Sequence, residues 1–484
     1  MGRPFFMPFA YYLCSMETAA NLGMLSTDVI VARATPPGSG ALAILRLSGT
    51  GSWQMVFQIL DRPIPAPISH RVYFRNIVDD GAVLDEVLIT LFAAGKSFTG
   101  DESVEISVHG SEFIVVRMQM LLVEQGARLA APGEFSQRAF LNGKLDLAQA
   151  EAIADVIASE HEAAHRVAMQ QLKGGFSREL ADLREQLLHY VSLMELELDF
   201  GEEDVEFADR TQLKLLIADL YARTQRLYSS FQYGNAIKQG FQLVLAGRPN
   251  AGKSTLFNAL LNEDRAIVSD IAGTTRDSIE DRLVVDGMVL RLIDTAGIRE
   301  ATDVIEQIGI ARTMAHVEKG GATLYLFDPS EMGEEDLKAD LAMLSKARVL
   351  FVVANKVDVL VEGNKANWEK FFVANDMQHV FWISAKAMDA AQIQGFLGDV
   401  TRRLLGLFEV PPDQTVVTNL RHAEALLRAM NELEAVAEGL NSGLSGDLMA
   451  FHIRGAIKAL GEITGIIDVE EILGSIFSRF CIGK

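Results

Sequence analysis

The sequence has few cysteines, too few basic residues to balance its acids, and no long apolar run. Cys14 and Cys481 are the two cysteines in 484 residues. They cannot form a disulfide framework, and neither lies in a C-x-x-C metal-ligand spacing. We therefore expect a protein of the reducing cytoplasm. No segment reaches the roughly 18 uninterrupted apolar residues of a membrane span, so we expect no membrane association.

The charge balance argues against direct, tight binding to a nucleic-acid backbone. The 44 Lys and Arg against 65 Asp and Glu give a formal net charge of −21. Backbone binding normally requires a clustered basic surface, so any RNA would be held mostly by a partner. The composition, 49% apolar and 23% charged, is typical of a folded globular protein. This length favours about two to four domains.

Residues 1–23 faintly resemble a signal-peptide core. Arg3 precedes an apolar run, but Pro8 interrupts it and Glu17 ends it. One interpretation is a disordered extension or an over-extended start, with Met24 as the initiator. The other is a genuine targeting segment.

Three kinds of pattern follow one another along the chain. Residues 28–132 mix β-rich runs with one helical stretch at 112–124, which is typical of a compact α+β domain. The β-rich runs are 29–32, 41–47, 87–92 and 104–108. Helical periodicity follows, and from about 240 to 407 strands and helices alternate, which predicts a doubly wound α/β domain. The strands expected there are 241–246, 289–293, 323–327, 349–354 and 380–383. Helix returns from about 420 to 480, so we expect the α/β domain to be inserted into a discontinuous helical domain.

Finer details of the pattern also make predictions. One apolar stripe is expected on a helix at Leu183, Leu187, Val191, Met194 and Leu198. The acidic stretch 202–206 is expected to be a solvated loop, and Asp286-Gly287 to close a hairpin. The expected limits are 1–23 for the extension, 24–133 for the N-terminal domain, 134–238 and 409–484 for the two helical parts, and 239–408 for the α/β domain.

The most informative motif is Gly247–Ser254, which fits G-x-x-x-x-G-K-[ST] between an apolar strand and a helix. Glycines there let backbone N–H groups close around phosphates at a helix N-terminus. Lys253 would neutralise the outer phosphates, and Ser254 would bind Mg2+. An ordinary glycine-rich turn is the structural alternative.

Four further motifs follow in the order expected of a GTPase. Gly273–Asp277 is typical of switch I, where Thr275 completes the Mg2+ shell. Asp294–Gly297 is typical of the switch II corner, with Asp294 reaching Mg2+ through water. Asn355–Asp358 predicts guanine recognition through the Asp358 carboxylate, and Ser384–Lys386 would close over the base.

These motifs define a predicted GTP site. Its residues are Asn250, Ala251, Gly252, Lys253, Ser254, Thr255, Ser269, Asp270, Ile271, Ala272, Gly273, Thr274, Thr275, Asp294, Thr295, Ala296, Gly297, Asn355, Lys356, Asp358, Ser384, Ala385 and Lys386. Lys253 is also a candidate catalytic residue.

Catalysis must differ from that of Ras-like enzymes, because Ile298 stands where they place the water-orienting glutamine. Asn250 can offer a carbonyl oxygen to K+, with the 269–274 loop completing the cage through Ser269, Ile271 and Thr274. Glu306 is the candidate for orienting water; the alternative is an ordinary glutamate on a helix surface.

Several motifs together resemble the tRNA-modifying GTPase family MnmE (TrmE) over residues 27–484. They are the P-loop with Asn250, Gly273–Asp277, Ala34–Gly38, Ile44–Gly49, Ser97–Gly100, Pro132–Asp146 and Phe480–Lys484. The resemblance implies an N-terminal domain that binds folate and dimerises, a helical domain and an inserted Ras-like G domain. It also implies a K+-stimulated GTPase with Mg2+, whose G domains pair across the nucleotides, and a catalytic role for Glu306.

Members of this family act with a flavin-dependent partner, MnmG (GidA), in a heterotetrameric or larger complex. They install an aminomethyl or carboxymethylaminomethyl group on C5 of the tRNA wobble uridine. The carbon comes from 5-formyl- or methylene-tetrahydrofolate. By position, the resemblance implies folate binding at Arg46, Glu105, Lys144 and Lys484.

Cys481 has two interpretations. It is either a thiolate nucleophile or redox group in the modification, activated by Lys484, or a tail residue that helps to seat Lys484.

Two other functions compete with this one. Ribosome-assembly GTPases share the Gly273–Asp277 type of switch, but they usually carry a second G domain or a basic RNA-binding module, and the sequence has neither. A non-catalytic scaffold gated by folate or GTP is the second alternative.

Overall fold

The computed structural model describes residues 28–199, 210–261, 280–285, 288–294, 322–345, 347, 349–377, 380–406, 415–466, 476, 480 and 483. The described residues form two compact units. The first lies within Met1–Ala154, Leu172–Glu185 and Ile457–Lys484, and the second within Asp155–Gln171 and Gln186–Ala456. The domain limits given above stay predictions.

The first unit is built around a six-stranded sheet with strand order β3-β4-β5-β2-β1-β6. The strands are β1 (Ile30–Arg33), β2 (Leu42–Ser48), β3 (Val72–Asp79), β4 (Ala82–Phe92), β5 (Ser103–His109) and β6 (Arg128–Leu129). Neighbouring strands are antiparallel except for the parallel pair β1 and β6. Its helices include α1 (Ser52–Phe57), α2 (Glu112–Glu124) and α3 (Glu134–Leu141).

Alternation of apolar residues explains how this sheet is covered. On β5, Val104, Ile106 and Val108 are fully buried, and they pack with Met118 and Leu122 of α2 in one core. A strand places alternate side chains on one face, so β5 buries one row against the helix. The α+β character and the helix predicted at 112–124 are confirmed.

Strand β3 and the first part of β4 were not predicted from the sequence. These strands form a hairpin in which Asp79 lies opposite Ala82. The two turn residues, Asp80 and Gly81, have φ values of 48° and 81°. An Asp-Gly pair with two positive φ values is the signature of a tight hairpin turn, so the signal was present in the sequence.

The second unit contains the α/β sheet, with strand order β12-β11-β10-β7-β9-β8. The strands are β7 (Phe241–Ala246), β8 (Glu280–Val285), β9 (Met288–Asp294), β10 (Ala322–Phe327), β11 (Val349–Ala354) and β12 (Val380–Trp382). All neighbours are parallel except β8 and β9, the hairpin predicted at Asp286-Gly287. The helices of this part are α8 (Lys253–Leu261), α9 (Glu334–Met343), α10 (Glu362–Ala374) and α11 (Ala390–Gly406).

Both faces of this sheet are buried, as a doubly wound fold requires. On β7, Leu243 and Leu245 belong to one core, whereas Val244 and Ala246 belong to the other. The predicted doubly wound α/β fold is confirmed.

The remaining elements are helical. They are α4 (Leu147–Ala158), α5 (Glu162–Leu172), α6 (Gly175–Asp199), α7 (Arg210–Gln239), α12 (Leu420–Ser442) and α13 (Gly446–Thr464). Helices α7 and α12 pack against each other. On α6, the stripe residues Leu183, Leu187, Val191 and Met194 are buried as predicted. The side chain of Leu198 and the acidic stretch 202–206 lie outside the described residues.

In the described part of the chain, none of the helices has both the length and the apolar character to cross a membrane.

Candidate functional site

The predicted phosphate-binding loop connects β7 to α8, and two of its glycines are required by close packing. At Gly247 φ is 146°, and a Cβ atom would lie 2.2 Å from the carbonyl oxygen of Leu326. At Gly252 φ is 96°, and a Cβ atom would lie 2.1 Å from Nδ2 of Asn355. A side chain at either position would strain the backbone and force neighbouring atoms to shift, so glycine lets the loop curve closely over the end of the sheet.

The side chains of this loop lie as a phosphate site needs. The Lys253 ammonium donates to the carbonyl oxygens of Gly247 at 2.7 Å and Arg248 at 2.9 Å. Ser254 and Thr255 are exposed in the first turn of α8, and Asn250 is exposed in the loop with φ of 61°. The helix N-terminus, the lysine and the hydroxyls therefore offer positive potential and donors at one edge of the sheet.

The buried Asn355 side chain connects this loop to the predicted base-binding loops. Its Nδ2 donates to the carbonyl oxygen of Ala251 at 2.8 Å, and its Oδ1 accepts from the backbone N–H of Ala385 at 2.9 Å. Both amide atoms thus have protein partners, and Asn355 holds three loops together.

Asp358 and Ser384 lie beside this junction. The exposed Asp358 carboxylate accepts a hydrogen bond from the Ser384 hydroxyl at 2.5 Å. Lys386, the third residue of that loop, is exposed. A carboxylate at the carboxyl end of a parallel sheet can accept two N–H bonds from guanine, which adenine cannot supply.

Lys356, a predicted nucleotide-site residue, forms an ion pair within the protein. Its Nζ lies 2.8 Å from Oδ2 of Asp328, which follows β10. The hydrogen bond to Asp328 raises the pKa of Lys356. Burial raises the pKa of Asp328, but hydrogen bonds from Lys356 and Ser330 lower it overall below the ordinary value. The pair therefore ties the guanine loop to the neighbouring strand.

Other predicted nucleotide-site residues lie outside the described residues. They are Ser269, Asp270, Ile271, Ala272, Gly273, Thr274, Thr275, Thr295, Ala296, Gly297 and Glu306. The backbone of Asp294 is described, and it lies opposite Leu245 at the end of β9. Among the described residues, no group of three or more His, Cys, Asp and Glu side chains is arranged to hold a metal ion.

Asp340 and Tyr325, which were not predicted as site residues, hold Arg248 of the phosphate-binding loop. Arg248 donates from Nε to Asp340 at 2.7 Å, and the Tyr325 hydroxyl donates to the same carboxylate. No local motif identifies Asp340, because it lies on α9, 92 positions after Arg248.

The first unit brings together two of the residues implied for folate. Arg46 on β2 lies opposite Glu105 on β5, and its Nε and Nη2 donate to one Glu105 oxygen at 3.0 and 2.8 Å. The guanidinium carbon lies 5.6 Å from the ring centre of Phe98 and 5.8 Å from that of Phe135. These distances are typical of cation–π contacts, so the arginine is held by charge and by aromatic rings.

The loop that carries Phe98 is fixed by buried hydroxyls. Ser48 and Thr99 share a hydrogen bond at 2.6 Å, and Ser103 donates to Ser48 at 3.1 Å. Lys144 donates to the carbonyl oxygen of Gly95 in the same loop at 2.9 Å. The sequence analysis did not single out Phe98 or Phe135 as site residues.

The described part of the C-terminal tail also lies in this cluster. The carbonyl oxygen of Gly483 is 3.5 Å from Nη1 of Arg46. A Cβ atom on Gly483, where φ is 94°, would lie 2.2 Å from the carbonyl oxygen of Arg33. Cys481 and Lys484 lie outside the described residues.

Two protein-family models match this chain. The family model described as GTP-binding protein TrmE N-terminus matches residues 29–144, and the MnmE helical domain model matches residues 147–481. The tRNA modification GTPase MnmE of Cytophaga hutchinsonii is 48% identical over 463 residues, which are 95% of this chain and 98% of that protein. The chain belongs to the MnmE family. As a member of that family, it is a GTP-hydrolysing enzyme.

Other similar proteins include the MnmE of Flavobacterium psychrophilum, 46% identical over 95% of this chain and 100% of that protein. An Era variant of Aquifex aeolicus, solved with GDP and AlF4−, is 22% identical over 40% of this chain and 66% of that chain, with a TM-score of 0.27. The second likeness is too weak to carry an argument, so the MnmE relatives decide the family.

Proposed function

We propose that this MnmE-family chain hydrolyses GTP in a K+-stimulated reaction that drives tRNA modification. In this proposal it acts with the flavin-dependent partner MnmG to add an aminomethyl or carboxymethylaminomethyl group to C5 of the wobble uridine. A tetrahydrofolate derivative supplies the one-carbon unit. The observation that carries the GTP assignment is the junction at Asn355, which joins the phosphate-binding loop to the loops of Asp358 and Ala385.

The residues near the phosphate loop suit the proposed metal ions. Ser254 is an exposed hydroxyl in the first turn of α8, the type of oxygen that Mg2+ accepts beside phosphates. Asn250 is exposed and offers an amide oxygen for K+. When bound, the cations would neutralise charge that develops on the phosphates. Thr275 for Mg2+, the 269–274 loop for K+, and Glu306 for water complete the proposed set.

The Arg46 cluster supports the folate part of the proposal. A folate has carboxylates and a pterin ring, which respectively suit cationic side chains and an acid such as Glu105. Phe98 and Phe135 add aromatic faces next to Arg46. Lys144, Lys484 and Cys481 are proposed to contribute through the same cluster and its C-terminal tail.

The proposed assembly is a homodimer that binds MnmG in the cytoplasm. The net charge of −21 favours an arrangement in which most contacts to tRNA come from the partner.

The K+ assignment is tested by GTP hydrolysis in KCl and in NaCl. We expect a rate at least about ten-fold higher in KCl, and loss of that ratio in Asn250→Ala, because the cation would stabilise transition-state charge by about 1.4 kcal/mol or more. Equal, very slow rates in both salts would contradict the K+ assignment and favour the scaffold alternative.

The modification itself is tested by mass spectrometry of wobble uridines from cells that lack the protein. We expect loss of the C5 substituent, restored by the parent gene but not by Lys253→Ala. Unchanged uridines would contradict the proposed reaction and favour a ribosome-assembly role.

A further inference from the structure

The second residue of the phosphate-binding loop, Arg248, is held by two acids of α9. Its Nε and Nη2 donate to the two oxygens of Asp340 at 2.7 and 2.9 Å, and Nη2 also donates to Asp336 at 3.2 Å. The side chain of Asp340 is 10% exposed, whereas that of Asp336 is 57% exposed. The Arg248 side chain is itself 45% exposed, but its two-pronged contact with a buried carboxylate fixes geometry better than a single contact with an exposed one. Asp340 is therefore the main anchor.

Tyr325 joins this anchor to the sheet. It is buried on β10, lies opposite Ala246, and donates its hydroxyl to the Asp340 carboxylate. Ala246 is the last residue of β7 and directly precedes the loop. One carboxylate thus connects the loop, the helix and the strand beside the point where the loop begins.

The protonation states suit these bonds. Burial and the hydrogen bond to Asp340 raise the pKa of Tyr325, so the phenol remains a donor. Burial raises the pKa of Asp340, but hydrogen bonds from Arg248 and Tyr325 lower it overall, so the carboxylate remains an acceptor. The arrangement is stable over the ordinary working range of pH.

The same stretch of loop is fixed on its inner side by Lys253. The Lys253 ammonium donates to the carbonyl oxygens of Gly247 and Arg248. A displacement of Arg248 would therefore move the backbone acceptors of the lysine that is proposed to bind phosphate.

We propose that Asp340, supported by Tyr325, is a positioning residue of the nucleotide site. It holds Arg248 so that the loop backbone and Lys253 keep the arrangement that binds phosphates. This inference rests on the proposed assignment of the loop to GTP. The contact between Asp340 and Arg248 stabilises the bound substrate and the transition state equally. Its loss should therefore weaken nucleotide binding more than it slows turnover at saturating GTP.

The test measures dissociation of a fluorescent GDP by stopped flow, and GTP hydrolysis over a range of concentrations. Asp340→Asn keeps the side-chain volume and removes the charge, and Tyr325→Phe removes the hydroxyl. We expect the rate constant of GDP dissociation and the KM for GTP to rise about ten-fold in Asp340→Asn and about three-fold in Tyr325→Phe. The kcat should stay within about three-fold of that of the parent.

Glu335→Gln is the matched control, because Glu335 lies on the same helix with its side chain 89% exposed. It should match the parent in every measurement. Lower melting temperatures in Asp340→Asn and Tyr325→Phe, with GDP dissociation unchanged, would show a merely structural role and overturn the proposal. If Asp340→Asn does not fold, Tyr325→Phe decides alone. A parent protein that fails to bind the fluorescent GDP would overturn the loop assignment and the anchor together.

Discussion

The nucleotide loops and the Arg46 cluster differ in how far apart along the chain their contacting residues lie. Lys253 bonds to Gly247 and Arg248 within one loop, and Asn355, in a second loop at the same sheet edge, bonds to the first loop at Ala251 and to a third at Ala385. Arg46 instead contacts Glu105, 59 positions away, and Gly483, 437 positions away. A site made of short loops leaves contiguous motifs in a sequence, whereas a site made across strands and a chain end does not.

The difference also concerns what fixes each site. Glycines with positive φ and a buried amide hold the nucleotide loops. An ion pair, two aromatic rings and a layer of hydroxyls hold the Arg46 cluster. We therefore expect substitutions of charged residues and of closely packed glycines to weaken binding at each site.

The largest expected effect is that of removing the Asp358 charge, which should affect the nucleotide site and leave the Arg46 cluster unchanged. Asp358→Asn should weaken GTP binding about 100-fold, because charge-assisted hydrogen bonds to guanine are worth about 1.5–3 kcal/mol each. Binding of xanthosine triphosphate should improve, since an amide can donate to the 2-oxo group of xanthine. Isothermal titration calorimetry measures both, and Asp399→Asn is the control, because the Asp399 side chain on α11 is 51% exposed. GTP affinity equal to that of the parent would refute the guanine assignment.

The corresponding change in the first unit is Arg46→Ala. We expect tetrahydrofolate binding to weaken about 30-fold, since about 2 kcal/mol is lost with one charge-assisted contact. Fluorescence titration with 5-formyl-tetrahydrofolate measures this affinity. Lys96→Ala, which removes an exposed cation from the loop next to Phe98, should bind as the parent does. Equal folate affinity in Arg46→Ala and Lys96→Ala would argue against a folate site here.

Two matched glycine substitutions test the backbone at both sites. Gly252→Ala and Gly483→Ala each place a Cβ atom about 2.1–2.2 Å from a polar atom at positive φ. The backbone strain alone costs about 1–2 kcal/mol. Gly252→Ala should therefore weaken GTP binding, and Gly483→Ala should weaken folate binding, each about ten-fold or more. The same two titrations test this. If Gly483→Ala leaves folate binding intact, the tail does not contribute to that site.

The smallest expected effect concerns acid stability of the first unit. Burial raises the pKa of Glu134, but hydrogen bonds from Arg128 and the Ala131 backbone lower it overall below the ordinary value. A depressed folded-state pKa stabilises the protein above the unfolded pKa of about 4.3, and that stability is lost as pH falls through the folded value.

Glu134→Gln should accordingly lower the free energy of unfolding by about 1 kcal/mol near neutral pH, with the difference vanishing in acid. Thermal unfolding from about pH 7 to about pH 3 measures it. Glu124→Gln, whose side chain is 56% exposed in its pair with Arg117, should cost less at every pH. A cost for Glu134→Gln that does not change with pH would refute this account.

Much of the fold could be predicted, because burial imposes periodicity on the sequence. The strands at Phe241–Ala246 and Val349–Ala354 and the helix at Glu112–Glu124 agree with the predicted ranges. Strand β3 and the first part of β4 were missed since several of their apolar residues, such as Phe74 and Val83, are exposed and obscure the alternation. The local sequence pattern cannot show whether a side chain is buried when its burial depends on neighbouring strands.

Local sequence is enough to identify each GTPase motif and the alternation that makes a doubly wound sheet. Both are set by neighbours a few positions apart, whose chemistry and spacing are visible in the chain. Only the tertiary structure placed Glu105 and Gly483 beside Arg46, Asn355 beneath Gly252, and Asp340 against Arg248. Those contacts depend on strand register and helix packing, which are decided by the whole core and not by any local segment.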